Sequence, residues 1–161
     1  VAWALDRFDI AAQRLAVEIL ETVVSTSPDD TISSNIRGLA NLGCHIDLDD
    51  FGTGHTSISS IRRFAVQRLK IDRSFVVKVD QDPDQKDMIA AILVMAERLG
   101  LDTIAEGVET AGEHTMLAQL GCGHVQGYGI ARPMPFERTM EWLEAHAQKV
   151  KQPPIIGRQT G

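Results

Sequence analysis

The sequence predicts an α/β fold in which parallel strands alternate with helices, and three observations predict it. Short apolar runs alternate with longer helical stripes, at about 30 residues per strand–helix unit. The stripes stop at Gly43, Gly100 and Gly121, as helices do where the chain turns left-handed. Each strand candidate also delivers a polar group at or near its C-terminal end, the rim where (β/α) folds build their sites. Five such units fit within the 161 residues.

The first strand spans 15–20, and alternation puts Glu18 on the face of Ala16 and Leu20, opposite Val17 and Ile19. Ile32, Ile36, Leu39 and Ala40 then form one helical stripe ended by Gly43. The second strand, 45–48, runs into Asp49 and Asp50. The third, 68–71, holds Lys70 between Leu69 and Ile71. Met88, Ile89, Ile92, Leu93, Ala96 and Leu99 make the next stripe, ended by Gly100. A fourth strand at 103–105 leads to Glu106. Thr110 with Glu113 fits a capping box for the helix that stops at Gly121. A short fifth strand at 124–125 precedes Gln126. Phe136, Met140, Leu143 and Ala147 give the last stripe. Residues 1–150 thus read as one domain, and 151–161, with Pro153-Pro154, as a polar tail expected to fray.

Composition narrows the function. The chain is 43% hydrophobic and 24% charged, enough to bury a core. Its 16 Lys and Arg against 22 Asp and Glu give a net charge of −6, which repels polyphosphate backbones. No basic cluster exceeds a pair, so no DNA or RNA polymer is expected as a partner. Cys44 and Cys122 are too few for a disulfide framework and point to a reducing, cytoplasmic setting. No stretch approaches the ~20 apolar residues of a membrane span. The start at Val1, without Met inside an apolar run, reads as cut from a longer chain. A closed (β/α)₈ barrel takes ~250 residues. An open doubly wound sheet fits the length, but the position after the first strand holds Glu21-Thr22-Val23-Val24 rather than a glycine-rich phosphate loop.

The strand-end acids carry the chemistry. Paired carboxylates suit hard divalent cations, because converging acids otherwise repel and take up protons. Lys70 among them can balance charge or hold a substrate phosphate. Bland roles exist for each residue: Asp50 as a helix N-cap, Glu18 as a partner for Lys70. The histidines 45, 114, 124 and 146 lack metal-ligand spacing, while His55, in the glycine loop, could reach a ligand. Trp3 and Trp142 read as packing residues, Arg62-Arg63 as a solvated helix end, and the two cysteines as small buried side chains.

Four motifs in order give a resemblance. Asp49-Asp50-Phe51-Gly52-Thr53-Gly54, Lys70-Ile71-Asp72-Arg73-Ser74-Phe75-Val76, Ala105-Glu106-Gly107-Val108-Glu109-Thr110, and Gly121-Cys122 with Gln126-Gly127-Tyr128 resemble the EAL domain. Glu18-Ile19-Leu20-Glu21 is similar to that family's Glu-Ile-Thr-Glu strand. The resemblance covers about residues 8–136.

The resemblance implies a partial TIM-like (β/α)₈ barrel, about five C-terminal units of it, from a phosphodiesterase that hydrolyses cyclic di-GMP to linear pGpG. It implies Glu18, Asp49 and Asp50 as ligands of a two-metal Mg²⁺ or Mn²⁺ site, with Asp49 bridging. Lys70 would touch the attacking water or the phosphate, Glu106 would help activate that water, and Gln126 would line the site. Glu21 would anchor the glycine loop, whose region would also form a homodimer. His55, Thr56 and Leu20 depart mildly from the family pattern. The family's Glu-Ala-Leu segment and its Asn-bearing strand belong to the part of the barrel that would precede Val1. The 161 residues alone are therefore expected to be inactive, with the apolar faces of Val17, Ile19 and Ile104 losing part of their cover. A non-catalytic cyclic di-GMP receptor, an enolase-type metal enzyme and a bare interaction module are the alternatives.

Overall fold

A computed structural model describes residues 1–26, 30–52, 54 and 58–151. His55, Thr56 and the tail beyond Lys151 lie outside the described residues. Two compact units divide the chain, Val1–Ile130 and Ala131–Gly161.

The first unit holds a five-stranded parallel sheet in the order β1-β2-β3-β4-β5, formed by β1 (Ala16–Leu20), β2 (His45–Phe51), β3 (Arg68–Ile71), β4 (Asp102–Ala105) and β5 (His124–Val125). Around it run α1 (Ala2–Arg7), α2 (Glu21–Thr26), α3 (Asp30–Asn41), α4 (Ile58–Arg63), α5 (Arg73–Val76), α6 (Pro83–Leu99) and α7 (Ala111–Leu120). The second unit contains α8 (Phe136–Lys151), which carries the last stripe.

Local signals explain the helix ends. Asp82 caps α6 by accepting from the Asp84 N–H, and Gly100 ends it in the left-handed region at φ 70°. Thr110 and Glu113 form the reciprocal capping box of α7, which Gly121 ends at φ 86°.

Sequential strands pair in parallel because each helix returns the chain to the same end of the sheet. Alternation then splits the sheet into two unlike faces. Ile19, Ile46, Leu48, Leu69, Ile71 and Ala105 are buried against the helices. The pairings Glu18↔Asp47, Asp47↔Arg68 and Lys70↔Ile104 put the charged residues on the other face.

Two expectations need correction. Ile19 keeps its cover, 8% exposed in the core because it points to the helix side, while Val17 packs against that core only partly buried. Trp3 is not a packing residue: it is 70% exposed, on a helix that buries nothing, with the Arg7 guanidinium 5.4 Å from its ring centroid. Trp142 stacks on His146, ring centroids 4.7 Å apart. Among the described residues, no helix is long and apolar enough to cross a membrane.

Candidate active site

Lys70 is the centre of the polar face. Its side chain is 7% exposed, and its Nζ lies 2.9 Å from Glu18 Oε1, 2.8 Å from Asp49 Oδ1 and 2.9 Å from Glu106 Oε1. Burial alone would depress the ammonium. The hydrogen bonds to Asp49, Glu106 and Glu18 outweigh it and hold the pKa above the ordinary lysine range. Lys70 is therefore a fixed cation.

Asp49 and Asp50 reach the same rim through a bulge. Leu48 pairs with Leu69 and Phe51 with Ile71, so two acids on β2 oppose Lys70 alone on β3. Asp50 takes φ 56°, and its N–H donates to Asp49 Oδ1 at 3.1 Å. In a regular strand, adjacent residues face opposite sides. Here carboxylate oxygens of Asp49, Asp50 and Glu106 lie within 4.8 Å of one another. Such a trio of oxygens matches the ligand chemistry of a hard divalent cation. Asp50 is not a helix N-cap in this arrangement, since it belongs to β2.

Glu18 reaches the cluster through Lys70 and is half exposed, its side chain at 51%. Glu21 stands apart from it. Its buried Oε2 accepts the N–H groups of Gly52, at 2.9 Å, and Gly54, at 3.0 Å. Gln126 follows β5, its N–H donating to the Ala105 carbonyl at 2.8 Å and its carbonyl accepting from the Val108 N–H at 3.0 Å. With Glu106, Arg73, Glu109 and Tyr128 it lines a cavity of ≈ 290 Å³ at the strand ends. A ≈ 370 Å³ hollow lined by Leu93, Glu97, Asp102 and Leu120 sits at the opposite, N-terminal end of β4 and holds none of these acids.

Two ion pairs beside the site are not marked by the motifs. Arg73 Nη2 meets Glu109 Oε1 at 2.8 Å at the mouth of the smaller cavity. Asp47 lies 3.6 Å from Arg68 Nη1, one step below Asp49 on the same face. Burial pushes the Asp47 carboxyl above its usual range, with Arg68 and His45 pulling it back. The signal was available: Asp47 and Asp49 are two apart on a strand and must share a face.

Parallel strands with acids and one lysine at their C-terminal ends define a (β/α) protein with its site on the strand rim. The EAL domain family model matches residues 1–133, and the chain belongs to this family. It is 36% identical over 146 residues to the cyclic di-GMP phosphodiesterase NbdA of Pseudomonas aeruginosa, covering 91% of this chain and 18% of that protein. The structure of the PaMucR phosphodiesterase in complex with c-di-GMP superimposes with a TM-score of 0.79 at 35% identity, covering 86% of this chain and 56% of that one. The manganese and cyclic di-GMP complex of Klebsiella pneumoniae BlrP1 gives a TM-score of 0.73 at 28% identity, over 82% of this chain and 34% of that one. The chain spans 17% of the first curated relative it matches, the signaling protein YkoW of Bacillus subtilis. The fold is accordingly α/β with a five-stranded parallel sheet, consistent with part of a TIM-like barrel.

Proposed function

We propose that this chain supplies the catalytic rim of a metal-dependent phosphodiesterase that hydrolyses cyclic di-GMP to linear pGpG. One observation carries the reading: Lys70, fixed between Glu18, Asp49 and Glu106 at the strand ends. The named activity of the relatives supports the substrate class.

The donor set fits the metal. Asp49, Asp50 and Glu106 offer oxygens close enough for one hard cation, and Glu18 adds a carboxylate beside them. When bound, a pair of Mg²⁺ or Mn²⁺ ions supplies Lewis acidity that neutralises the phosphodiester and acidifies water. Glu106 accepts a proton from the attacking water. Lys70, a permanent cation whose three N–H groups are held by Glu18, Asp49 and Glu106, offsets the negative charge around the phosphodiester, and Gln126 orients the phosphodiester from the end of the next strand. Glu21 ties down the glycine turn and so fixes Asp49 and Asp50.

β1 and β5 are the outer strands of the sheet among the described residues, whereas a closed barrel leaves no edge. The 161 residues alone therefore bind cations weakly and hydrolyse little. A homodimer through the glycine-loop region and a cytoplasmic setting belong to the same proposal. Residues 53 and 55–57 of that loop lie outside the described residues, and the exposed Ile58 that follows them supports a contact. The two free cysteines support the reducing setting.

The test is titration of the complete protein with cyclic di-GMP, with and without Mg²⁺, while following pGpG. Release of pGpG that requires the metal is expected. Binding without turnover would instead identify a receptor.

A further inference from the structure

Glu113 is buried, at 6% exposure, and takes no part in the chemistry above. A capping box asks only that its carboxylate accept one N–H, that of the N-cap residue. Glu113 does this, with Oε2 3.0 Å from the Thr110 N–H. The carboxylate also accepts two N–H groups that capping does not explain. Oε2 takes the Glu109 N–H at 2.9 Å, and Oε1 takes the Lys78 N–H at 3.2 Å. Lys78 stands at φ 62° in the turn after α5, on the chain that leads away from Lys70. Glu109 lies three residues beyond Glu106.

One buried carboxylate thus ties the segment after β3 to the segment after β4. A second tie runs alongside. Arg73 pairs with Glu109 at 2.8 Å, and its stem covers Gly107, where a Cβ would stand 2.4 Å from Arg73 Cγ. The loop from Glu106 to Thr110 is then held at one end by the Glu106 N–H on the Ile71 carbonyl, at 3.1 Å, and at the other by Glu113.

We propose that Glu113 is a positioning residue for Glu106, holding the loop that carries it as Glu21 holds the turn after Asp49 and Asp50. This rests on the phosphodiesterase reading. Without the buried carboxylate, the loop keeps the Glu106 N–H on the Ile71 carbonyl, the Val108 N–H on the Gln126 carbonyl and the exposed Arg73–Glu109 pair, but its Glu109–Thr110 end loses the tie to Lys78 and the approach of Glu106 to Lys70 loosens.

The test compares E113D, E113Q and T110A in the complete protein. E113D keeps the charge but is one methylene too short to reach both Lys78 and Glu109; kcat should fall about tenfold or more with KM for cyclic di-GMP nearly unchanged. E113Q keeps an acceptor oxygen for the Glu109 and Thr110 N–H groups but turns an amide NH2 toward the Lys78 N–H, so its kcat should fall between those of the wild type and E113D. T110A removes the other half of the cap, lowering the melting temperature while kcat stays within about twofold. Parental kcat in E113D, or a T110A loss as large as that of E113D, overturns the proposal. A wild-type protein that releases no pGpG sinks the phosphodiesterase reading instead. The tie is then decided by hydrogen exchange: faster exchange of the Glu109 amide in E113D but not in T110A supports it, and unchanged exchange overturns it.

Discussion

At Lys70 one buried ammonium meets three carboxylates within 2.9 Å, so the cluster keeps a net negative charge that a divalent cation can satisfy. Removing the ammonium while keeping its stem, K70M, leaves acids that repel one another. The variant should melt well below the wild type in EDTA, and added Mg²⁺ should recover much of the difference; equal melting temperatures in EDTA would contradict this. The pH dependence follows from the raised Lys70 pKa. Its stabilisation is fully present below the unfolded value of about 10.4 and is lost only as pH rises through the higher folded value. The K70M deficit should therefore stay constant between about pH 6 and 9. Glu106, 2.9 Å from Lys70, is the proposed proton acceptor. E106Q in the complete protein should slow turnover by about a hundredfold while cyclic di-GMP affinity changes little, and single-turnover kinetics with a binding titration would check both.

Among the elements, β2 and the turn after it decide whether the acids converge. The turn needs Gly52 because φ there is 105°, and because an added Cβ would stand 2.4 Å from the Phe75 ring. Glu21 then satisfies the N–H groups of Gly52 and Gly54. E21A should weaken Mg²⁺ binding without unfolding the complete protein; metal affinity and activity both at the wild-type level would refute the tether. On α7, burial raises the Glu113 pKa, but the hydrogen bonds from Glu109, Lys78 and Thr110 win and lower it. Its stabilisation is present above the unfolded value of about 4.3 and is lost as pH falls through the lower folded value. Wild type and E113Q should therefore differ in melting temperature at neutral pH and converge in acid. The element boundaries were largely legible: β3 and β5 fall where periodicity puts them, and the glycines end α6 and α7. The bulge was not, because it depends on how β2 pairs with β3, and periodicity within one strand carries no information about its neighbour.

At the scale of the whole molecule, the sheet has two unlike faces and, among the described residues, β1 and β5 as outer strands. The apolar face is closed by helices, which suffices for a core. The charged face is the one a complete barrel would enclose. Val1–Gly161 expressed alone should form oligomers through its strand edges and release far less pGpG than the complete protein, which light scattering and product assay would show. Monodisperse Val1–Gly161 that releases pGpG at an undiminished rate would mean that no further strands are needed. The α/β class, the helix ends and the strand-end places of Glu18, Asp49, Asp50, Lys70, Glu106 and Gln126 are legible in the chain itself, because spacing, caps and alternation are local properties, and the family is legible through its four ordered motifs. The folded structure alone establishes that Lys70 bonds three acids at once, that the carboxylates of Asp49, Asp50 and Glu106 converge, and that Glu113 spans two loops. The Lys70 pairs and the Lys78–Glu113 bond join residues tens of positions apart, and the neighbours Asp49 and Asp50 converge through the β2–β3 register; strand pairing and burial exist only once the chain has folded.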